Sequence, residues 1–118
     1  MEYFRPGVSV LERHNVGLVC RLAISGSSAK LTVATTQLLA NQKRTDVKLS
    51  QACLLLAEID RLAGRDGGTG NSHHPIIVAG NFNSFPFSHV YQLLTTGVMK
   101  YEGLTFGKGT LGRYCSTL

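Results

Sequence analysis

The 118-residue chain has no tryptophan, three prolines and three cysteines. An odd, sparse set of cysteines (Cys20, Cys53, Cys115) excludes a disulfide-scaffolded miniprotein and points to a reducing compartment. No apolar run approaches the roughly 18–20 residues that a membrane-spanning helix needs, so no membrane association is expected. Met1 to Pro6 shows no basic segment followed by an apolar stretch, and no Asn-x-Ser/Thr sequon occurs. The expected compartment is the cytoplasm or the nucleus, not the secretory route. Acidic residues are also scarce: seven Asp and Glu against twelve Lys and Arg leave a net charge of +5. That charge is compatible with a phosphate-rich partner but does not identify one. Charged residues make up only 16% and hydrophobic residues 43%. This composition excludes wholesale disorder and suits a chain that buries a core.

The patterning predicts an α/β chain in the order β-β-α-β-α. Val16 to Ile24 is short, apolar and partly β-branched, and reads as a strand. Leu31 to Leu38 reads as a second strand, and the five-residue loop Ser25 to Ala29 before it suits an antiparallel hairpin. Leu49, Ala52, Cys53, Leu56, Ile59 and Ala63 recur at steps of three or four, which predicts one face of an amphipathic helix over 47–63. Asp46 is the expected N-cap and Gly64 the expected left-handed C-terminal residue. Residues 64–74 are Gly-rich and polar and read as an exposed loop. Ile76 to Ala79 is a continuous apolar run, as in a strand buried on both faces. Ser88 is placed to cap a short helix that ends at Gly97. The residues from Lys100 onward are Gly-rich and aperiodic.

A set of runs then matches one family in order and spacing. They are Phe4-Arg5-Pro6-Gly7, Asn15-Val16-Gly17-Leu18-Val19, Val33-Ala34-Thr35-Thr36-Gln37-Leu38-Leu39, Asp46-Val47-Lys48-Leu49-Ser50-Gln51, Pro75-Ile76-Ile77, Gly80-Asn81-Phe82-Asn83-Ser84 and Tyr101-Glu102-Gly103-Leu104. They resemble the Angel proteins, relatives of nocturnin and the mRNA deadenylases within the endonuclease/exonuclease/phosphatase superfamily. The resemblance implies part of a two-sheet α/β sandwich over 1–104, with a divergent Gly-rich tail over 105–118. It also implies an ancestry of Mg²⁺-dependent phosphodiester hydrolysis on RNA. The chain corresponds to the middle of such a domain. The family's upstream metal-binding Glu, and its downstream Asp and Ser-Asp-His motif, have no counterpart in it. Apolar faces that further strands would cover are expected to stand open, available to a protein partner.

The same resemblance locates the chemistry. Where the family has Asn-Thr-His-Leu, this chain has Thr35-Thr36-Gln37-Leu38, so Gln37 stands at the site histidine. Where the family has Gly-Asp-Phe-Asn-Ser, it has Gly80-Asn81-Phe82-Asn83-Ser84, so Asn81 stands at the site aspartate. Asn83, which in the family contacts phosphate, is retained. An amide has one acceptor oxygen, one NH₂ donor and no useful basicity, so neither replacement serves as a general base. Asn81 also brings no charge to Mg²⁺, which favours anionic oxygen ligands. The resemblance therefore implies a chain that does not bind Mg²⁺ and is inactive by itself. The alternatives are a non-catalytic RNA- or protein-binding module and a gene fragment without selected function.

Lys43, Arg44 and Lys48 form the best basic cluster. They lie just after the Gln37 strand, where they are read either as a rim for an RNA backbone or as a solvated loop. His73-His74 reads as a solvated loop, because successive side chains in extended backbone point to opposite sides. His14 and His89 read as surface or structural residues. Cys20 and Cys53 read as small hydrophobes. Phe82, Phe85 and Phe87 are expected to pack locally. Neither Gly64–Gly70 nor Gly107-Lys108-Gly109-Thr110 has the strand context or the Gly-Lys-Ser/Thr ending of a phosphate cradle.

Overall fold

In a computed structural model that describes residues 13–64 and 73–99, each apolar stretch becomes one of five elements. These are β1 (Gly17–Ala23), β2 (Lys30–Gln37), α1 (Thr45–Ala63), β3 (Ile76–Asn81) and α2 (His89–Thr96). β1 and β2 form the expected antiparallel hairpin, with Gly17 opposite Thr36 and Ala23 opposite Lys30. Gly26 supplies the positive φ of its turn. β3 then joins β2 in parallel after the α1 crossover, giving one sheet in the order β1-β2-β3.

The period of two along β2 decides which residues are covered. Thr32, Ala34 and Thr36 are buried, while Thr35 and Gln37 are exposed. Ala34 packs with Leu55, Ile59 and Ala63 of α1, and Val19 joins them from β1. A second cluster joins the helices: Leu38, Leu49, Ala52, Val90, Leu93 and Met99, with Phe82 packed against it. α2 begins as expected. Ser88 accepts a hydrogen bond from the Tyr91 amide, and Gly97 closes the helix in the left-handed region at φ 71°.

Four expectations are corrected. β3 is exposed along its whole length instead of buried on both faces. It is an edge strand, and α1 packs on β1 and β2. The sheet face opposite α1 stands open too, with Leu18 at 55% and Ile77 at 51% exposure. Asp46 is not the N-cap: Arg44 occupies that position and its guanidinium takes both Asp46 carboxylate oxygens. Gly64 is extended, at φ −56° and ψ 138°, not left-handed. Its backbone bridges to His73, and the Ala63 carbonyl accepts the His74 amide. His73 is thereby lifted out of the solvated-loop reading, since its Nε2 also meets the Asp60 carboxylate.

Two smaller differences concern packing. Leu55 is fully buried on α1, whereas Cys53 and Leu56 of the expected stripe are only half-buried. Of the three phenylalanines only Phe82 packs inward. Phe85 is 69% exposed, and Phe87 is exposed with its ring tilted against Tyr91. The tail over 105–118 and most of the Gly-rich loop lie outside the described residues. Among those described, no helix is long and apolar enough to cross a membrane.

Gly80 permits the close β2–β3 approach. A Cβ there would lie 2.2 Å from the Thr36 carbonyl oxygen. Gly80→Ala is expected to destabilise the fold by about 2–3 kcal/mol, because backbone must move to relieve the clash. Thr32 makes the opposite case: its buried hydroxyl has no hydrogen-bond partner. Thr32→Val should leave stability unchanged or raise it by about 1 kcal/mol. Denaturant melts of both variants against the parent chain check the pair.

Candidate functional site at the strand ends

β2 and β3 run parallel and end side by side, which brings together two residues far apart in sequence. Gln37 and Asn81 are register partners at the last position of the ladder. Aligned neighbours on adjacent strands project to the same face, and both residues are exposed. The chain leaving each strand is then held by buried polar groups of α1.

Lys48 sits on the inner face of the first turns of α1 at 3% exposure. Its ammonium donates to the Asn83 carbonyl at 2.9 Å and to Gln42 Oε1 at 3.1 Å. Burial holds this ammonium below the ordinary lysine pKa. Gln51, one turn further along the helix, is fully buried. Its oxygen accepts the Leu39 amide at 2.9 Å and its NH₂ donates to Asn15 Oδ1 at 3.1 Å. Asn15 Nδ2 in turn donates to the Gln37 carbonyl at 2.9 Å. The residues after β2 are therefore tied to α1 and to the segment that enters β1.

The Gly80–Ser84 loop is equally determined. Asn83 has φ 45°, in the left-handed region that Asn tolerates better than most residues. Its amide N–H donates to Asn81 Oδ1 at 3.0 Å, and its side-chain NH₂ donates to the Leu38 carbonyl at 2.8 Å. The retained asparagine is thus engaged with the backbone between the two strand ends.

Two depressions flank Gln37. One of about 420 Å³ is lined by Val16, Leu18, Thr35, Thr36, Gln37, Gly80 and Asn81. The other, of about 560 Å³, is lined by Arg13, His14, Asn15, Val16, Gln37 and Leu39. Among the described residues no aspartate or glutamate lines either one. Among the described residues no three His, Cys, Asp or Glu side chains converge as metal ligands would.

The basic residues separate. Lys43 is exposed on the loop whose Gln42 amide reaches the Asn83 carbonyl at 3.5 Å. Arg44 is engaged by Asp46; their hydrogen bonds raise the guanidinium pKa and lower that of the carboxyl. Lys48 points inward. The three do not form one rim of exposed cations. Asn15 and Gln51 are scaffold residues that sequence reading passed over. A glutamine within the buried face of an otherwise apolar helix stripe was the available signal.

No family model matches the chain. It is 43% identical over 111 residues to human protein angel homolog 2, covering 92% of this chain and 20% of that protein. It is 44% identical over 111 residues to human protein angel homolog 1, covering 88% of this chain and 16% of that protein. A crystal structure of ANGEL2, a 2′,3′-cyclic phosphatase, matches with a TM-score of 0.79 at 45% identity, covering 87% of this chain and 28% of that one. A second, in complex with adenosine-2′,3′-vanadate, matches with a TM-score of 0.76 at 45% identity, covering 87% of this chain and 29% of that one. The fold is therefore that of a segment of an endonuclease/exonuclease/phosphatase-type α/β domain. Within that class the segment is homologous to the Angel proteins, and it spans about a fifth of the length of the human relatives it matches.

The Lys48 clamp gives a test. Lys48→Met removes the donor from a carbonyl that α1 covers, and should cost about 1–3 kcal/mol. Because the folded-state pKa lies below 10.5, the unfolded chain holds more protons just below that value. Parent stability should therefore rise with pH through this window. Lys48→Met should lack that rise, and hydrogen exchange at the Asn83 amide should be faster. Denaturant melts across alkaline pH and amide exchange measure both.

Proposed function

We propose that this chain is an Angel-type phosphodiesterase segment that does not hydrolyse its ligand, and that the ligand is an RNA end. The reading rests on the Gln37–Asn81 pair at the strand ends. By resemblance, these are the positions at which the family carries a histidine and an aspartate. The attacking water in phosphodiester hydrolysis must pass a proton to an acceptor, and loss of a general base costs roughly 10²–10⁴ in rate. Two amides supply no basic group, and among the described residues no carboxylate lines the adjoining depressions.

The same donor set does not suit Mg²⁺. A small hard cation takes anionic oxygens in near-octahedral geometry, whereas these walls offer amides, hydroxyls and backbone. The choice of RNA ends draws on the relative: ANGEL2 is a 2′,3′-cyclic phosphatase and has been seen with adenosine-2′,3′-vanadate.

Incubation with oligo(A), and with an RNA carrying a 2′,3′-cyclic phosphate, should release no product above the protein-free control in Mg²⁺. Hydrolysis that EDTA abolishes would overturn the inactive reading.

A further inference from the structure

We propose that the strand-end site binds the terminal phosphate of an RNA directly, through amide N–H donors and without a divalent cation. The proposal rests on the reading of this site as one that does not hold Mg²⁺, and it states what the amides do instead.

The orientation of Asn81 decides which atom it presents. Its Oδ1 accepts the backbone N–H of Asn83 at 3.0 Å. A backbone N–H can only donate, so this contact settles which end of the carboxamide is oxygen. The remaining terminal atom of Asn81 is therefore the NH₂ group. An aspartate making the same turn contact would place its second anionic oxygen there. The substitution leaves the turn as it is and changes the presented atom from an acceptor that attracts cations to a donor that attracts anions.

Gln37 adds a second amide on the adjacent strand, about 4.8 Å away across the ladder. It is exposed and lines both depressions. The surroundings match a donor site. Among the described residues no carboxylate lines either depression. Lys43 is exposed on the loop whose Gln42 touches the Asn83 carbonyl. The chain carries +5 overall, so long-range attraction favours an anion over a neutral carbonyl group. The depression beside Gln37 and Asn81 is shallow and open, so a terminal group can reach it from solvent.

The site also has little freedom to rearrange. Asn83 is held by Lys48, Leu38 and Asn81 together, and the Gln37 carbonyl by Asn15. A fixed backbone beneath the two amides, with the Asn81 carboxamide oriented by its turn contact, lowers the ordering cost of binding an anion.

Short 5′-labelled oligo(A) ending in a 2′,3′-cyclic phosphate, a 3′-phosphate or a 3′-hydroxyl distinguishes the outcomes by fluorescence anisotropy. The phosphate ends should bind about tenfold more tightly than the hydroxyl end, equally in EDTA and in Mg²⁺, and inorganic phosphate should compete. Asn81→Asp should abolish the preference without shifting the melting temperature, because its carboxylate still accepts the Asn83 amide. Equal binding of all three ends, dependence on Mg²⁺, or an unchanged preference in Asn81→Asp would overturn the proposal. The same oligonucleotides scored for cleavage keep the two readings separate. Cleavage that EDTA abolishes would overturn the inactive reading and with it the basis of this inference, whereas equal binding of all three ends without cleavage would overturn this inference and leave the inactive reading standing.

Discussion

Lys48 and Gln51 lie three residues apart on α1, both buried, and between them hold the backbone where it leaves β3 and where it leaves β2. A buried ammonium is tolerated only where oxygens surround it. The Asn83 carbonyl and the Gln42 side chain meet that need. The cost of leaving either polar group unpaired links the helix to the sheet more specifically than apolar packing does. Leu55, Ile59 and Ala34 hold α1 against the sheet, but dispersion alone permits it to slide. The polar contacts at its N-terminal end set where along the strands it stops.

That constraint explains the contrast between the frame and what it presents. Asn15, Gln51, Lys48 and Asn83 form an interlocked set of hydrogen bonds inside the strand ends. Gln37 and Asn81, on the outside, are exposed. A substitution at the exposed pair alters charge and donor pattern while leaving the frame intact. Asn81 shows this directly: its oxygen makes a turn contact that a carboxylate would make equally well.

The open faces of the sheet follow from topology. One helix of this width cannot cover three strands, and α1 lies over β1 and β2. β3 therefore presents Ile76, Ile77 and Val78 to solvent. These residues have the composition of an interior strand, which is why their sequence reads as buried on both faces. An apolar run reports what a strand is suited to meet, and the neighbours are a separate matter.

The sequence alone determined the element order, the hairpin and both helices. Periods of two and of three to four, with turn and cap residues at their ends, are local and strongly written here; Ser88 and Gly97 bound α2 as they stand. The resemblance of ordered motifs marked Gln37, Asn81 and Asn83. Tertiary structure decided the rest. Arg44 took the cap position because its guanidinium could chelate Asp46, and Gly64 turned extended because His73 returned to pair with it. Lys48 became a buried clamp instead of a surface cation because Asn83, 35 residues later, placed a carbonyl beside it. Contacts of that separation leave no period in a sequence; the resemblance marked the two distant amides, and the parallel pairing of β2 and β3 sets them side by side.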